Sequence, residues 1–343
     1  MILIKKIIPA AMALAFAGAV HAEAEIYGII DMSYGKNEIV DGQNAKSDFH
    51  SGGDDGQSQG NSTTRIGFKG SYDVDTDVKA NFKFETNGIT SDGAINGTND
   101  GTSPTFFNRQ AWLGLSHTKY GEVRLGRQDS IPFQVMGKFD LNAQSNGVTT
   151  AYSGASVWAT NRQSRSLQYI APEFSGVNMH FGIVPEGDDS TGSGSDDNTS
   201  AVISAAVTYS MGDLLIGGSF ESARETLANP NAEDFKSVAV TYDFKVVKVM
   251  AGYTEGPGLY TGADLAEGVT IGISAPVGSY TVGAHYADAD NTVSGTKTNT
   301  TALELFVNRK IFKNTYAYLE SLSLDRETGS DPSSYAVGVI FVF

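Results

Sequence analysis

Through much of this chain apolar residues recur at every second position. In "SVAVTYDF", Val238, Val240, Tyr242 and Phe244 share one face, and Ser237, Ala239, Thr241 and Asp243 share the other. "GVTIGIS" sets Val269, Ile271 and Ile273 against Thr270, Gly272 and Ser274, and "YTVGAHY" sets Tyr280, Val282, Ala284 and Tyr286 against Thr281, Gly283 and His285. The closing run "SYAVGVIFVF" places Tyr335, Val337, Val339, Phe341 and Phe343 on one parity and smaller residues on the other. A period of two predicts strands, and a large apolar face opposite a small or polar one suits a wall between lipid and water.

Sixteen such segments can be placed, at about 24–35, 62–72, 77–87, 105–117, 121–128, 163–172, 176–186, 199–211, 213–224, 234–244, 246–255, 265–276, 279–288, 298–310, 314–326 and 333–343. The number is even, and roughly 20 residues per strand and connection suffice for a membrane-spanning strand plus a turn. Short connections ("SYDVDTD", "HTKYG", "PEFSG", "MGD", "KV", "PVGS") alternate with long polar ones: 36–61, 88–104, 128–161, 187–198 and 288–297. Short turns on one side and long loops on the other are the rhythm of a barrel wall. Glu320 shares parity with Tyr318 and Leu322, which points all three toward lipid unless a bulge intervenes.

Composition narrows the class. The "MILIKKIIPAAMALAFAGAVHAEAE" start reads as a secretory leader, with Lys5 and Lys6 as its basic head, Ile7 to Val20 as its apolar stretch and Val20-His21-Ala22 as its cleavage site. The expected domains are a leader over 1–22 and a barrel over 23–343. No other apolar run is long enough for a helical span, so a closed barrel is the one integral membrane option. The chain has 343 residues, no Cys and a formal net charge of -15. Disulfides are therefore excluded as staples, and the acidity argues against nucleic acid, which is bound through clustered Lys and Arg.

Catalytic signatures are missing. The five His residues are scattered, and HExxH, G-x-S-x-G and the phosphate-cradling G-x-x-x-x-G-K-[ST] do not occur. Neither a metal site nor a cofactor is expected. The stretches "HSGGDDGQSQGNS" and "EGDDSTGSGSDDNTS" are rich in Gly, Ser and Asp but lack the twelve-residue calcium pattern with its bidentate Glu, and read as solvated loops.

"STTRIGFKGSYDV", "VKANFKFET" and "FFNRQAWLGLSHTKYGEVRLGRQDS", with "YGIIDMSYG", "RSLQYIAPEFSG" and the terminal Phe343, resemble the general porins of Gram-negative outer membranes. The resemblance implies an all-β fold: a 16-stranded antiparallel transmembrane β-barrel with an inward-folded third external loop, here 128–161. It also implies a homotrimer in the outer membrane, contact with membrane lipid and lipopolysaccharide, and passage of ions and small hydrophilic solutes. The family's terminal aromatic is read by the barrel-insertion machinery, which would make Phe343, with Phe341 and Tyr335 on the same face, the assembly signal.

Porins of this kind set wall arginines opposite acidic residues of the inward loop. Alternation alone points Arg65 into the lumen, with Gly67 and Lys69 on its parity, and matching to the family motif adds Arg109 and Arg162. Lys79, Lys83 and Glu85 share the inward parity of the third strand, and Arg124 has lumen parity in its own. A charged side chain is cheap in a wet lumen and costly in hydrocarbon. On the loop side stand Asp129 and Asp140, with Lys138 beside the latter. The "P-E-F-G-G" signature of one porin branch is absent, so the second carboxylate position is open. Arg127 shares parity with Val123 and Leu125 and is expected to face a neighbouring subunit; Arg165 has no assigned role.

These readings make the chain a passive diffusion channel without catalysis, with mild anion preference at the constriction opposed by acidic loops at the mouth. The alternatives are a substrate-selective porin and an adhesin or receptor barrel acting through its loops. A soluble secreted β-protein would have to bury the faces assigned to lipid.

Overall fold

The computed structural model describes residues 22–42, 45–54, 59–95, 106–143, 145, 161–186, 200–223, 233–257 and 265–343. Residues 1–21, 96–105, 146–160 and 187–199 lie outside them, and with them most of the expected leader. Among the described residues the first strands are β1 (Ala22–Asn37), β2 (Asp48–Ser51), β3 (Arg65–Asp73), β4 (Val78–Asn87), β5 (Gln110–His117) and β6 (Gly121–Asp129). Then follow β7 (Arg162–Ile170), β8 (Val177–Val184), β9 (Val202–Met211), β10 (Leu214–Glu221), β11 (Phe235–Asp243) and β12 (Lys248–Gly256). The last five are β13 (Leu265–Val277), β14 (Tyr280–Val293), β15 (Thr296–Phe312), β16 (Thr315–Arg326) and β17 (Ser333–Val342).

Each wall strand pairs antiparallel with its sequence neighbour, and the sheet closes where β1 meets β17, with Ile29 opposite Val342 and Asn37 opposite Ser334. The lower half of β1 pairs with β3, from Ala22–Tyr72 to Ile29–Arg65, and the short β2 covers the remaining edge at Met32–Gly35. Closure leaves no unpaired edge for lipid to solvate, the condition for a sheet to cross a bilayer. All sixteen predicted segments are wall strands. β2 is an addition, and β14 and β15 run further into their loop than alternation suggested.

The outer face carries the predicted apolar parity. Val269, Ile271 and Ile273 are 52, 58 and 50% exposed, and Val337, Val339, Phe341 and Phe343 are 42–49% exposed. Phe343 completes the seam: its backbone exchanges hydrogen bonds with Gly28 at 2.9 and 3.1 Å, and its ring lies where a Gly28 side chain would stand.

One expectation is overturned. Tyr318, Glu320, Leu322 and Leu324 point inward and are buried, at 4, 1, 2 and 3% exposure, while Leu319 on the other parity faces out. Alternation assigned the face with large residues to lipid, but the inside of this barrel is partly filled. Ile39, on the short helix α1 (Glu38–Asp41), packs with Leu322, Leu324, Ala287, Ala289 and Ala302. Loop residues cover Glu320 from the lumen side.

The third external loop enters the lumen. Its helix α2 (Ile131–Met136) starts at Ser130, whose hydroxyl accepts from the Phe133 amide at 3.2 Å, with Pro132 in the first turn; both are N-terminal helix signals. Ile131, Val135, Met136 and Phe139 then pack on Ala206, Phe235, Ala239, Met250 and Ala266 of the inner wall. Small wall residues make the room: a Cβ on Gly182 would stand 2.8 Å from Ile131, and one on Gly217 would stand 2.9 Å from Phe139. Burial of side chains of this size stabilises by about 1.5–3 kcal/mol each, enough to hold one limb of the loop against the wall.

Candidate functional site: the charged constriction

The root of the loop, at Asp129 and the start of α2, meets a cluster of charges built on β3, β4 and the ends of β6 and β7. Glu85, on the inward parity of β4, lies at its centre. Its carboxylate accepts from the Tyr27 hydroxyl at 2.7 Å, pairs with Arg109 Nε at 2.5 Å and stands 3.6 Å from Lys83 Nζ. Arg109 immediately precedes β5, and its amide donates to the Glu85 carbonyl at 3.1 Å, so the backbone sets the ion pair. Arg162, the first residue of β7, pairs with Asp129 at 3.2 Å and lies over the Phe133 ring at 5.6 Å. Arg65, the first residue of β3, stands in the electrostatic field of Arg109, Glu85, Asp129 and Tyr27. Four cations thus face two carboxylates where the loop narrows the lumen.

A bulge shapes this end of the wall. Between Gly126 and Gln128 the β6–β7 register shifts, β7 carries one extra residue, and Arg165 there has φ +55°. Bulges twist and re-aim a strand. Beyond it Arg162 is opposite Asp129, where the two side chains meet.

The other predicted residues lie apart from the cluster. Lys79 is on the inward face but about 13 Å of strand below Lys83, and it pairs with Asp73 beside the turn at 3.1 Å. Arg124 binds Glu122 at 2.7 Å and stacks on Trp112 at 4.6 Å. Lys138 is exposed on the loop, in the field of His180. Asp140 is buried on the far limb, in the field of His285 and Glu304, and not beside the arginines. Arg127 lies on the outward parity, donating to the Asn108 carbonyl at 2.6 Å and the Ser164 hydroxyl at 2.8 Å. On the outer face Phe341 and Phe343 stack at 6.0 Å, and Tyr335 shares a 2.6 Å hydrogen bond with Ser47.

Sequence reasoning missed how the far limb is held. Asn142 donates to Glu304 at 2.8 Å and to Glu320 at 3.1 Å, Ser145 donates to both Glu320 oxygens at 2.8 and 2.7 Å, and Asn61 adds 2.7 Å to the same carboxylate. His285 lies 2.9 Å from Glu304, and Asp31 accepts from Tyr318 at 2.8 Å and from the Asn61 and Ser62 amides at 2.8 and 2.6 Å. Glu304, not singled out from the sequence, was detectable from its Leu303 and Leu305 flanks in "TALELFV". Glu320 was not, because its flanks mimic a lipid face. Among the described residues no group of His, Asp and Glu has metal-holding geometry.

A closed sixteen-stranded wall, an apolar outer band and a loop folded into a charged lumen define a transmembrane channel. The chain matches the Gram-negative porin family over residues 10–329 and belongs to it. It is 28% identical over 289 residues to outer membrane porin protein 32 of Delftia acidovorans, a match covering 80% of this chain and 76% of that one. To outer membrane protein S2 of Salmonella typhi it is 25% identical over 310 residues, covering 85 and 70%. Among solved structures, the anion-selective porin from Comamonas acidovorans superposes with a TM-score of 0.74 at 21% identity, over 94% of this chain and all of that one. OmpF of Salmonella typhi superposes at 0.69 with 16% identity, over 93 and 97%. The protein is thus an outer-membrane porin, a water-filled passage for ions and small hydrophilic solutes.

Proposed function

We propose that the channel conducts by passive diffusion with no chemical step, prefers anions mildly, and works as a homotrimer. The preference rests on one observation: among the described residues, Arg65, Arg109, Arg162 and Lys83 meet only Glu85 and Asp129 at the constriction. Fixed charges across a narrow, partly dehydrated passage are weakly screened, so the local excess outweighs the acidity of the chain as a whole. The buried carboxylates of Asp31, Glu304 and Glu320 are turned into hydrogen bonds with loop and wall and offer little charge to the water path. The printed description of the Comamonas acidovorans porin, anion-selective, agrees in sign. The trimer is supported by a trimer-form porin among the structural neighbours.

The same reading includes a cleaved leader over 1–22, lipopolysaccharide around the rim, and insertion machinery that engages the exposed Phe341–Phe343 end. The deciding experiment is the zero-current potential of purified trimer in a planar bilayer across a KCl gradient. A potential set by chloride supports the reading, and one set by potassium overturns the anion preference.

A further inference from the structure

Just to the periplasmic side of the arginines, the register places four inward residues in one row across four strands. Glu25 on β1 is opposite Lys69 on β3, Lys69 is opposite Lys83 on β4, and Lys83 is opposite Trp112 on β5. They border a recess of about 490 Å³ that Glu122 and Arg124 also line, a volume in the range of small-molecule sites. The Lys69–Lys83 pair is the unusual feature, since like charges directly opposite each other in a sheet repel. Both ammonium groups lie over the same Tyr27 ring, at 5.1 and 5.4 Å.

Three acids, Glu23, Glu25 and Glu122, line the recess beside Lys69, Lys83 and Arg124, so the lining is balanced in number and the positive excess is local to the two facing lysines. Glu122 is taken up by Arg124 at 2.7 Å and Asn81 at 3.0 Å. Glu85, the nearest acid to Lys83, is held more closely by Arg109 and Tyr27 than by Lys83 itself. Glu25 meets Lys69 at 3.2 Å with both side chains about half exposed, a weak pair. An anionic group between the two lysines would relieve their repulsion. Trp112, one strand over and with its N–H spent on Gln110 at 2.9 Å, offers an apolar plate beside it. Arg124 at 4.6 Å braces that plate.

We propose that this row is a binding subsite for small aromatic carboxylates, the carboxylate between Lys69 and Lys83 and the ring against Trp112. It rests on the channel reading and adds to it a solute class that the arginine cluster does not specify. Solutes of this class would dwell in the recess just beyond the constriction, and the channel would favour them over aliphatic anions of equal charge.

The test is current block of the full-length trimer in planar bilayers by sodium benzoate, with sodium acetate and neutral benzamide as probes of charge alone and ring alone. Benzoate should reach half-block at a concentration about tenfold below either control. Trp112→Leu should raise the benzoate value about tenfold and leave acetate unchanged, and Lys69→Gln should weaken benzoate block by a similar factor. Equal potency of benzoate and acetate on the natural protein overturns the proposal, as does benzoate block within twofold of the natural value in Lys69→Gln. A conducting channel indifferent to benzoate sinks the subsite alone, whereas a folded trimer that passes no ions sinks the channel reading beneath it.

Discussion

The side-chain amide of Asn142, on the inward loop, donates to Glu304 on the far wall at 2.8 Å and to Glu320 at 3.1 Å. This one residue ties the loop limb to two carboxylates on adjacent strands, with Asn308 adding a 3.0 Å bond to its carbonyl oxygen.

Replacing Asn142 with Ala leaves both carboxylates short of a donor. Ser145 and Asn61 still serve Glu320 and His285 still lies beside Glu304, so each bond removed costs its net worth, about 1 kcal/mol. The expected result is a lower melting temperature of the detergent-held trimer and a noisier open-channel current, read by heat-shift electrophoresis and single-channel recording. Asn142→Ala with unchanged noise and melting would mean that the apolar limb alone fixes the loop.

Gly182 faces α2 across the lumen wall, and Gly182→Val puts new methyl groups into Ile131, whose terminal carbon is already 2.8 Å from the Cβ position. Overpacking of this kind costs about 1–3 kcal/mol. The helix is expected to shift toward the water path, so single-channel conductance falls while selectivity keeps its sign.

At the constriction, Arg109→Ser and Glu85→Gln should move the zero-current potential in opposite directions, the first toward potassium and the second toward chloride. A unit charge about 4 Å from a passing ion is worth about 1 kcal/mol even at the dielectric of water, a factor of about five in relative permeability. Matched shifts of the same sign would show that these residues act on pore width and not on charge.

The preference should also weaken with salt. The Debye length falls from about 10 Å at 0.1 M to about 3 Å at 1 M, shorter than the span of the charged cluster. Reversal potentials measured at a fixed gradient ratio but rising total KCl should approach zero, and a constant value would point to a steric origin.

Outside the membrane band, the Lys36 ammonium donates to Glu38 at 2.7 Å, and the Ser333 amide and hydroxyl add 3.1 and 3.0 Å, which together hold the Glu38 carboxyl below the usual glutamate range. A depressed carboxyl stabilises the fold fully above its ordinary pKa, and that contribution is lost as pH falls through the lowered value. Protection of the Ser333 amide, taken relative to its intrinsic exchange rate, should therefore hold through the ordinary glutamate range and fall only in more acid solution. In Glu38→Gln the protection should show no such step.

How far the site could be read from the chain differs residue by residue. Arg65, Lys83 and Glu85 were legible because alternation in β3 and β4 is clean: Phe68, Phe82 and Phe84 mark the lipid side and leave the charges nowhere else to go. Parity puts Lys79 on the inward face and the resemblance puts Asp140 on the inward loop, but neither gives height along the axis or tells which limb of a loop meets which wall. Trp112 carries no signal of its own in the sequence, because an aromatic residue looks alike in a lipid-facing or lumen-facing row until its neighbours on adjacent strands are known.

By itself, the sequence determined the local and the periodic: sixteen strands, their lipid faces, the alternation of turns and loops, and a barrel as the one way to satisfy every backbone group in a bilayer. Tertiary structure alone decided what fills the lumen. The loop is folded inward by apolar contacts of α2 with small wall residues on one side and by Asn142 and Ser145 on buried acids at the other, a pairing of positions more than a hundred residues apart. Period-two alternation encodes inside against outside only when the inside is water. Where the barrel packs part of its own chain within, as around Tyr318, Glu320 and Leu322, both faces of a strand are apolar or large, and only the three-dimensional arrangement tells lipid from loop.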